Sequence, residues 1–329
     1  MRPLRVFTWH VHGNYLYSLA HTRHELIVPV KPGRPEGYAG RSGSMPWPPS
    51  VREVPADKVR AEPLDLILFQ SRKNYWQDQF EILSSAQRRL PRIYLEHDPP
   101  REKPVGTRHP AADDDALIVH VTHFNALMWD NGPARSTVIE HGVAVPEGVQ
   151  WTGDVERGLV IVNGMAWRGA RLGSDLFQRA RREVPLDLIG IGSEEMGGLG
   201  EVQHRDLPAF EARYRFLFNP IRYTSLGLAV CEAMMIGLPV VGLATTEMAT
   251  VVENGVSGYV GTDLRELVRR MHELLRRPDE ARTLSRGARR AALKRFGIRR
   301  FVEDWDRALL EATGAPAPHV RRAAAGGAA

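Results

Sequence analysis

Cysteine is nearly missing from this sequence: Cys231 is the single thiol among 329 residues. No disulfide framework can form within the chain, and a cysteine-built zinc site is excluded. A reducing compartment suits such a protein. No apolar run reaches the roughly 18 residues that a membrane span requires. The opening Met1-Arg2-Pro3-Leu4-Arg5 leads straight into a strand-like run, without the apolar stretch and cleavage site of a secretory signal. The expectation is a cytoplasmic protein. No basic stretch is interleaved with aromatics, so nucleic acid is not an expected partner. The 12 histidines include His10/His12 and His120/His123, but none has the spacing of a three-ligand metal site. Asp113-Asp114-Asp115 precedes a strand and reads as a solvated turn, and no serine elbow is present. Neither a metal nor a resident cofactor is expected.

What is there is globular. Hydrophobic residues make up 43% and charged residues 25% of the chain, enough for a core. The length suits two domains of about 150 residues each. The net charge is +5, and arginines recur in pairs such as Arg88-Arg89, Arg181-Arg182 and Arg299-Arg300. These read as solvated helix faces, or as a basic surface that attracts phosphates and permits peripheral contact with anionic membranes.

Short apolar runs alternate with helix-like segments, the pattern of α/β domains with parallel sheets. Strands are expected at 4–8, 25–30, 64–69, 92–95, 116–121 and 137–140. After a polar linker at 146–154 they are expected at 159–162, 186–191, 216–218, 239–242 and 258–260. Helices are expected at 75–89, 125–130, 174–182, 207–214 and 228–236, and throughout 264–311. Residues 31–50, rich in Pro, Gly and Ser, read as a long loop. The reading divides the chain into residues 1–147 and 148–298, two Rossmann-like domains facing a cleft. Residues 299–313 form a last helix returning to the first domain, and 314–329 a disordered Ala/Gly-rich tail. Open parallel sheets bind ligands beyond the carboxyl ends of their strands, so motifs belong in the loops that follow them.

The richest stretch is Phe218 to Val241. A strand ends at Asn219-Pro220, Gly227 opens a helix, Gly237 closes it, and Pro239 starts the next strand. Gly227 allows close backbone approach to a ligand. The unpartnered amides at the helix start suit a diphosphate. Glu232 sits one turn in, among Ala229, Val230, Cys231, Ala233, Met234 and Met235. A carboxylate in so apolar a helix is expensive to bury alone. It can accept two hydrogen bonds from a vicinal diol such as a ribose.

This segment resembles the donor-binding core of the family-four retaining glycosyltransferases (glycosyl transferases group 1), which have the GT-B fold. Gly227-Leu228, Glu232-Ala233-Met234, Gly237-Leu238-Pro239-Val240-Val241 and Glu253-Asn254-Gly255-Val256-Ser257-Gly258 match that family's pattern in order and spacing. The resemblance implies a metal-independent, hexosyltransferase-like enzyme with a nucleotide sugar as co-substrate and an acceptor that the sequence does not identify. It places Gly227, Leu228, Ser225 and Glu232 at the donor nucleotide, with Arg168 and Arg171 on the diphosphate in place of the family's arginine and lysine. It places His97, at the end of Tyr94-Leu95-Glu96-His97, beside the donor sugar. Gly13 and Asn14, in the loop after the first strand, would face the cleft.

Two departures stand out. The first of the family's two glutamates falls at Thr224, which brings no charge. The family's Gly-Gly turn becomes Ala244-Thr245-Thr246-Glu247, and Glu247 is expected to serve the sugar as a substitute carboxylate. The loss at Thr224 also leaves open a non-catalytic nucleotide-sugar binder or partner subunit. A sugar-nucleotide epimerase is a third reading.

Overall fold

The computed structural model describes residues 2–43 and 45–314. The tail reading for residues 315–329 lies outside them. In chain order the strands of the first half are β1 (Arg5–Thr8), β2 (Glu25–Val30), β3 (Val51–Pro55), β4 (Leu66–Phe69), β5 (Arg92–Glu96), β6 (Thr107–Arg108), β7 (Leu117–His120), β8 (Trp129–Asp130) and β9 (Ser136–Val138). Those of the second half are β10 (Val155–Ile161), β11 (Leu186–Ile189), β12 (Tyr214–Asn219), β13 (Val240–Leu243) and β14 (Gly258–Gly261).

Seven strands make one sheet in the order β3-β2-β1-β4-β5-β7-β9, and five make another in the order β11-β10-β12-β13-β14. Every pairing in both is parallel. Strands buried on both faces read as unbroken apolar runs, which is why Leu66–Phe69 and Val240–Leu243 were legible. Each sheet has apolar clusters on both faces. In each, strand order reverses beside a central strand, at β1/β4 and at β10/β12. Such switch points open a crevice for ligands.

Strand β3 was not expected. Its Val-Arg-Glu-Val-Pro sequence carries two charges because it is the sheet's edge, and Arg52 forms ion pairs with Glu25 and Glu62 at 2.8 and 2.7 Å. The helix expected over 75–89 is broken. A turn of wider pitch at Asn74–Asp78 runs into a short helix, Gln79–Ile82, and a separate turn follows at Gln87–Arg89. Ser84 and Gln87 exchange backbone-to-side-chain hydrogen bonds, a reciprocal cap that restarts the chain. The helical region near the end is three helices, Leu264–Arg276, Pro278–Arg295 and Ile298–Ala312. Pro278 suits the first turn of the second.

The last of these helices packs on the first domain. Phe301, Trp305, Leu309 and Leu310 are buried against Val6, Leu16, Leu66 and Leu95, and the Trp305 indole donates to the Tyr15 hydroxyl at 3.0 Å. Full burial of such side chains stabilises by about 1.5–3 kcal/mol each. The chain crosses between domains at Val143 and again at Gly297. The two crossings lie side by side as a parallel bridge, with the Val143 amide donating to the Phe296 carbonyl at 2.9 Å.

Candidate functional site

The helix Leu228–Ile236 starts at Gly227, whose backbone is extended (φ −67°, ψ 135°), and closes at Gly237 in the left-handed region. A Cβ at Gly227 would meet no atom within 4 Å. The position borders a cleft of about 550 Å³ between the domains. Leu228 and Ala229 line it at the helix's first turn, where N–H groups have no partner inside the helix.

Glu232 lies one turn further on, on the wall of the same cleft. Burial pushes its carboxyl up to about 7, against the opposing pull of a hydrogen bond from Asn14. Asn14 and Gly13 reach the cleft from the first domain. The sequence suggested a loop there, but they open the helix Gly13–Leu19. Across the cleft, Arg168 follows β10 in a short helix, Met165–Arg168. Burial, and then the neighbouring charge of Arg171, hold its guanidinium below the usual value. Among the described residues neither arginine has a carboxylate partner within 4.0 Å, so the pair presents uncompensated positive charge to an anion.

The turn carrying Arg171 is pinned in place. Arg222 donates twice to Asp175, at 2.6 and 2.7 Å, and once to the Ala170 carbonyl at 2.6 Å. Arg222 is thus a brace for the turn. Gly173, at φ +80°, lets this turn meet the Pro220 backbone, where a Cβ would sit 2.1 Å from a carbonyl oxygen. The Asn163 side chain accepts the Ile191 amide at 2.9 Å and joins the loops after β10 and β11.

Thr224 lines the cleft. Ser225 is buried beneath it, and its carbonyl accepts from the Thr246 hydroxyl at 3.4 Å. Arg171 does not line the cleft itself and acts on it through Arg168.

Glu247 is not where the sequence suggested. It is 3% exposed and is not among the residues lining the cleft. Its carboxylate accepts from the Phe124 amide (2.8 Å), Thr250 (2.8 Å) and Arg295 (2.6 Å). Those bonds, with the Arg295 charge, outweigh burial and hold it below the usual carboxylate range. Phe124 belongs to the first domain, so Glu247 clasps the two together. Thr246 before it adopts φ +52°, a conformation costly for a β-branched residue.

His97 borders an adjoining pocket of about 360 Å³ in the first domain. Its ring lies 4.2 Å from that of His12, which borders both spaces. The proton position follows from the network. The Gln70 amide nitrogen donates to Thr8 Oγ1 and the Trp9 carbonyl, both at 2.8 Å. Its oxygen therefore faces His97 Nε2 at 3.2 Å, and Nε2 carries the hydrogen. Burial pulls the ring's pKa well down, leaving neutral His97 with an Nδ1 lone pair.

No local pattern pointed to Glu211. It is fully buried, neither carboxyl oxygen has a hydrogen-bond partner, and it shares a second pocket of about 270 Å³ with Glu232 and His204. Burial, then the charge of Glu232, push its carboxyl well up. Nothing in the short Leu207–Glu211 helix marks it out. Only the fold brings it beside Glu232.

Among the described residues no three His, Cys, Asp or Glu side chains converge as a metal site. No helix is long and apolar enough to cross a membrane.

Residues 176–277, which contain Gly227 and Glu232, match the family model for Glycosyl transferases group 1. No curated protein matches the chain by sequence. Among solved structures, sucrose-phosphate synthase from Thermosynechococcus elongatus superposes with a TM-score of 0.68 at 14% identity, covering 96% of this chain and 100% of that one. HepE of Anabaena in complex with UDP-glucose gives 0.68 at 15%, covering 94% and 100%. A glycosyltransferase from Rickettsia africae gives 0.64 at 12%, covering 95% and 99%. At such identities the likeness establishes the fold: two Rossmann-like domains facing a cleft, as in GT-B structures.

Proposed function

We propose that this chain, a GT-B protein whose residues 176–277 carry the group 1 glycosyltransferase pattern, moves a hexose-like sugar from a nucleoside-diphosphate sugar to a hydroxyl acceptor, with retention. One observation carries the reading. Glu232, Gly227 and Arg168, from separate loops and one helix, line a single interdomain cleft. The solved complex of HepE with UDP-glucose supports a nucleotide sugar as the occupant.

In this reading Glu232, as the carboxylate, accepts both ribose hydroxyls. The amides at Leu228 and Ala229 and the guanidinium of Arg168 take the diphosphate, with Arg171 adding long-range charge. As the anomeric carbon–oxygen bond breaks, negative charge grows on the departing phosphate oxygen, where preorganised donors are worth most. The acceptor oxygen bonds to the anomeric carbon, and its proton passes to that phosphate oxygen, yielding the nucleoside diphosphate. Thr224, on the cleft wall, and His97 Nδ1, in the adjoining pocket, would hold sugar hydroxyls. Neutralising the diphosphate with arginines and a helix start removes the need for a metal. The basic surface suits work at the cytoplasmic face of a membrane.

Thr224 favours a second reading, a nucleotide-sugar binder without turnover, because no carboxylate from this segment reaches the sugar side. Thermal shift against UDP, GDP and their sugars tests binding, since a ligand of the native state raises apparent stability. Glu232→Ala is expected to weaken any response by about ten- to a hundredfold in Kd, the worth of charge-assisted hydrogen bonds. An unchanged response removes Glu232 from the site. Turnover then separates transferase from binder, and isomerised donor without acceptor identifies an epimerase.

A further inference from the structure

A cavity of about 270 Å³ adjoins the main cleft and takes no part in the sugar transfer proposed above. The two spaces meet at His204, Leu207 and Glu232, which line both. Tyr17 and Pro46 reach the cavity from the first domain, Val145 and Pro146 from the segment that joins the domains, and Pro208 and Glu211 from the second. A molecule held there would touch both domains and Glu232 at once.

The cavity is lined with polar atoms that the protein leaves unsatisfied. Glu211 has no exposed surface, yet neither of its carboxyl oxygens has a hydrogen-bond partner. His204 Nδ1 is buried and unpartnered as well. Buried polar atoms without partners are rare in folded proteins. Two acids share the space, because Glu232 stands on the same wall. Among the described residues neither forms an ion pair. Arg205 also lines the cavity, but it is exposed and pairs with Asp206 at 3.4 Å. The Tyr17 ring lies 6.1 Å from the His204 ring across the domain boundary. The remaining wall is mostly apolar.

These features select a cation with an apolar body. An alkylammonium brings three N–H donors and no acceptor, the complement of the orphaned Glu211 Oε1, Glu211 Oε2 and His204 Nδ1. Its charge answers two acids in one water-poor space, where carboxylates are costly without a partner. An aromatic ring such as Tyr17 attracts a cation, and a hydrocarbon body covers Val145, Leu207 and Pro208. An anion would be repelled. A neutral alcohol brings one donor and no charge. A metal ion lacks its ligands, because among the described residues no three His, Cys, Asp or Glu side chains converge. We propose that this cavity binds a small primary amine in its ammonium form, and that amine and nucleoside diphosphate strengthen each other's binding through Glu232. As the ammonium enters, any proton on Glu211 passes to solvent. The amine site stands on its own geometry. The coupling rests on the glycosyltransferase reading, since an ammonium beside Glu232 keeps it the carboxylate that ribose hydroxyls require.

The test uses the full chain at neutral pH and constant ionic strength, first without nucleotide. Saturation-transfer NMR and calorimetry compare butylamine and cyclohexylamine with butanol and cyclohexanol, which match them in shape and lack the charge. At least one amine is expected to bind about tenfold more tightly than its alcohol, the worth of a charge-assisted hydrogen bond. Glu211→Gln should erase that preference, leaving amine and alcohol within about twofold of each other. Tyr17→Leu, which leaves both acids in place, should weaken the amine about two- to fivefold even if the Glu211 variant does not fold. Equal binding of amine and alcohol, or binding of neither, overturns the site: the cavity then holds water beside a protonated acid. An amine whose affinity neither variant changes is bound elsewhere and overturns it too. In the second stage, saturating amine should lower the UDP or GDP Kd about fivefold, and the nucleotide should tighten the amine by the same factor. Affinities that ignore each other overturn the coupling. An amine that binds where no nucleotide does upholds the site and overturns the transferase reading instead.

Discussion

The two domains share a parallel-sheet design but meet the cleft with opposite chemistry. The second domain brings backbone amides, Arg168, which among the described residues has no carboxylate partner, and a carboxyl that burial raises to about 7. The first brings His12, Gly13 and Asn14 to the cleft and, in the adjoining pocket, His97, whose pKa burial pulls well down, and Glu96, whose carboxyl burial pushes up to about 8. Amides and guanidinium groups recognise charge. Neutral imidazoles and carboxyls recognise hydroxyls. On the transferase reading, one half would grip the leaving group and the other would arrange what reacts.

That contrast can be broken by substitution. The largest effect is expected at Trp305, which ties the last helix to the first domain. Trp305→Ala should cost about 3–5 kcal/mol, as for other buried aromatics, read by chemical denaturation. Next is the clasp. Arg295 is held by both Glu247 and Glu140, so Glu247→Gln removes one of its two carboxylates and should cost about 1.5–3 kcal/mol, the worth of the charge-assisted hydrogen bonds it weakens. If Glu247 instead served the sugar, stability would hold and turnover alone would fall. A smaller change is expected at Arg168: Arg168→Gln should weaken nucleoside diphosphate about tenfold, the worth of one charge-assisted contact. A nucleoside without phosphates should be unaffected, with calorimetry as the check.

The subtlest prediction concerns pH. The folded-state pKa values of Glu232 (about 7), Glu96 (about 8) and Glu211 (well up) all lie above the usual carboxylate value. The folded chain therefore holds protons that the unfolded chain has released. Stability should fall as pH rises from 6.5 to 8, by about 1.4 kcal/mol per unit for each acid still protonated. Below 6.5 the histidines pull the other way. His141 and His120, both lowered to about 4, stay neutral when folded while the unfolded chain takes up protons. The two slopes then oppose each other. Glu211→Gln should flatten the alkaline limb in a melting-temperature series. A slope identical to wild type would show that Glu211 is ionised in the fold.

Much of the second domain was legible because its signals are local. A glycine before a helix, a carboxylate inside an apolar stretch and a proline opening a buried strand are all read from neighbouring residues. The cleft-lining positions Gly227, Leu228 and Glu232 follow from these. What was not legible depends on pairs distant in sequence. Glu247 looked free because its partners, Phe124 and Arg295, are 123 and 48 residues away. Glu211 looked like an ordinary helix-end acid. Strand β3 was hidden because an edge position tolerates charges that a central strand would not. The proton position of His97 was not legible either, because it depends on Gln70, 27 residues earlier.

The side-by-side crossings at Val143 and Gly297 have a mechanical consequence. The chain enters and leaves the second domain through one hydrogen-bonded pair of backbone segments, so that domain is hung like a door on a single strap. Rotation about that strap leaves both cores intact and needs the Glu247 latch and the Tyr223–Pro100 hydrogen bond to release. Gating by one pivot and a charged catch would make the rate of opening sensitive to ionic strength at Arg295, while the resting geometry of each half stays fixed.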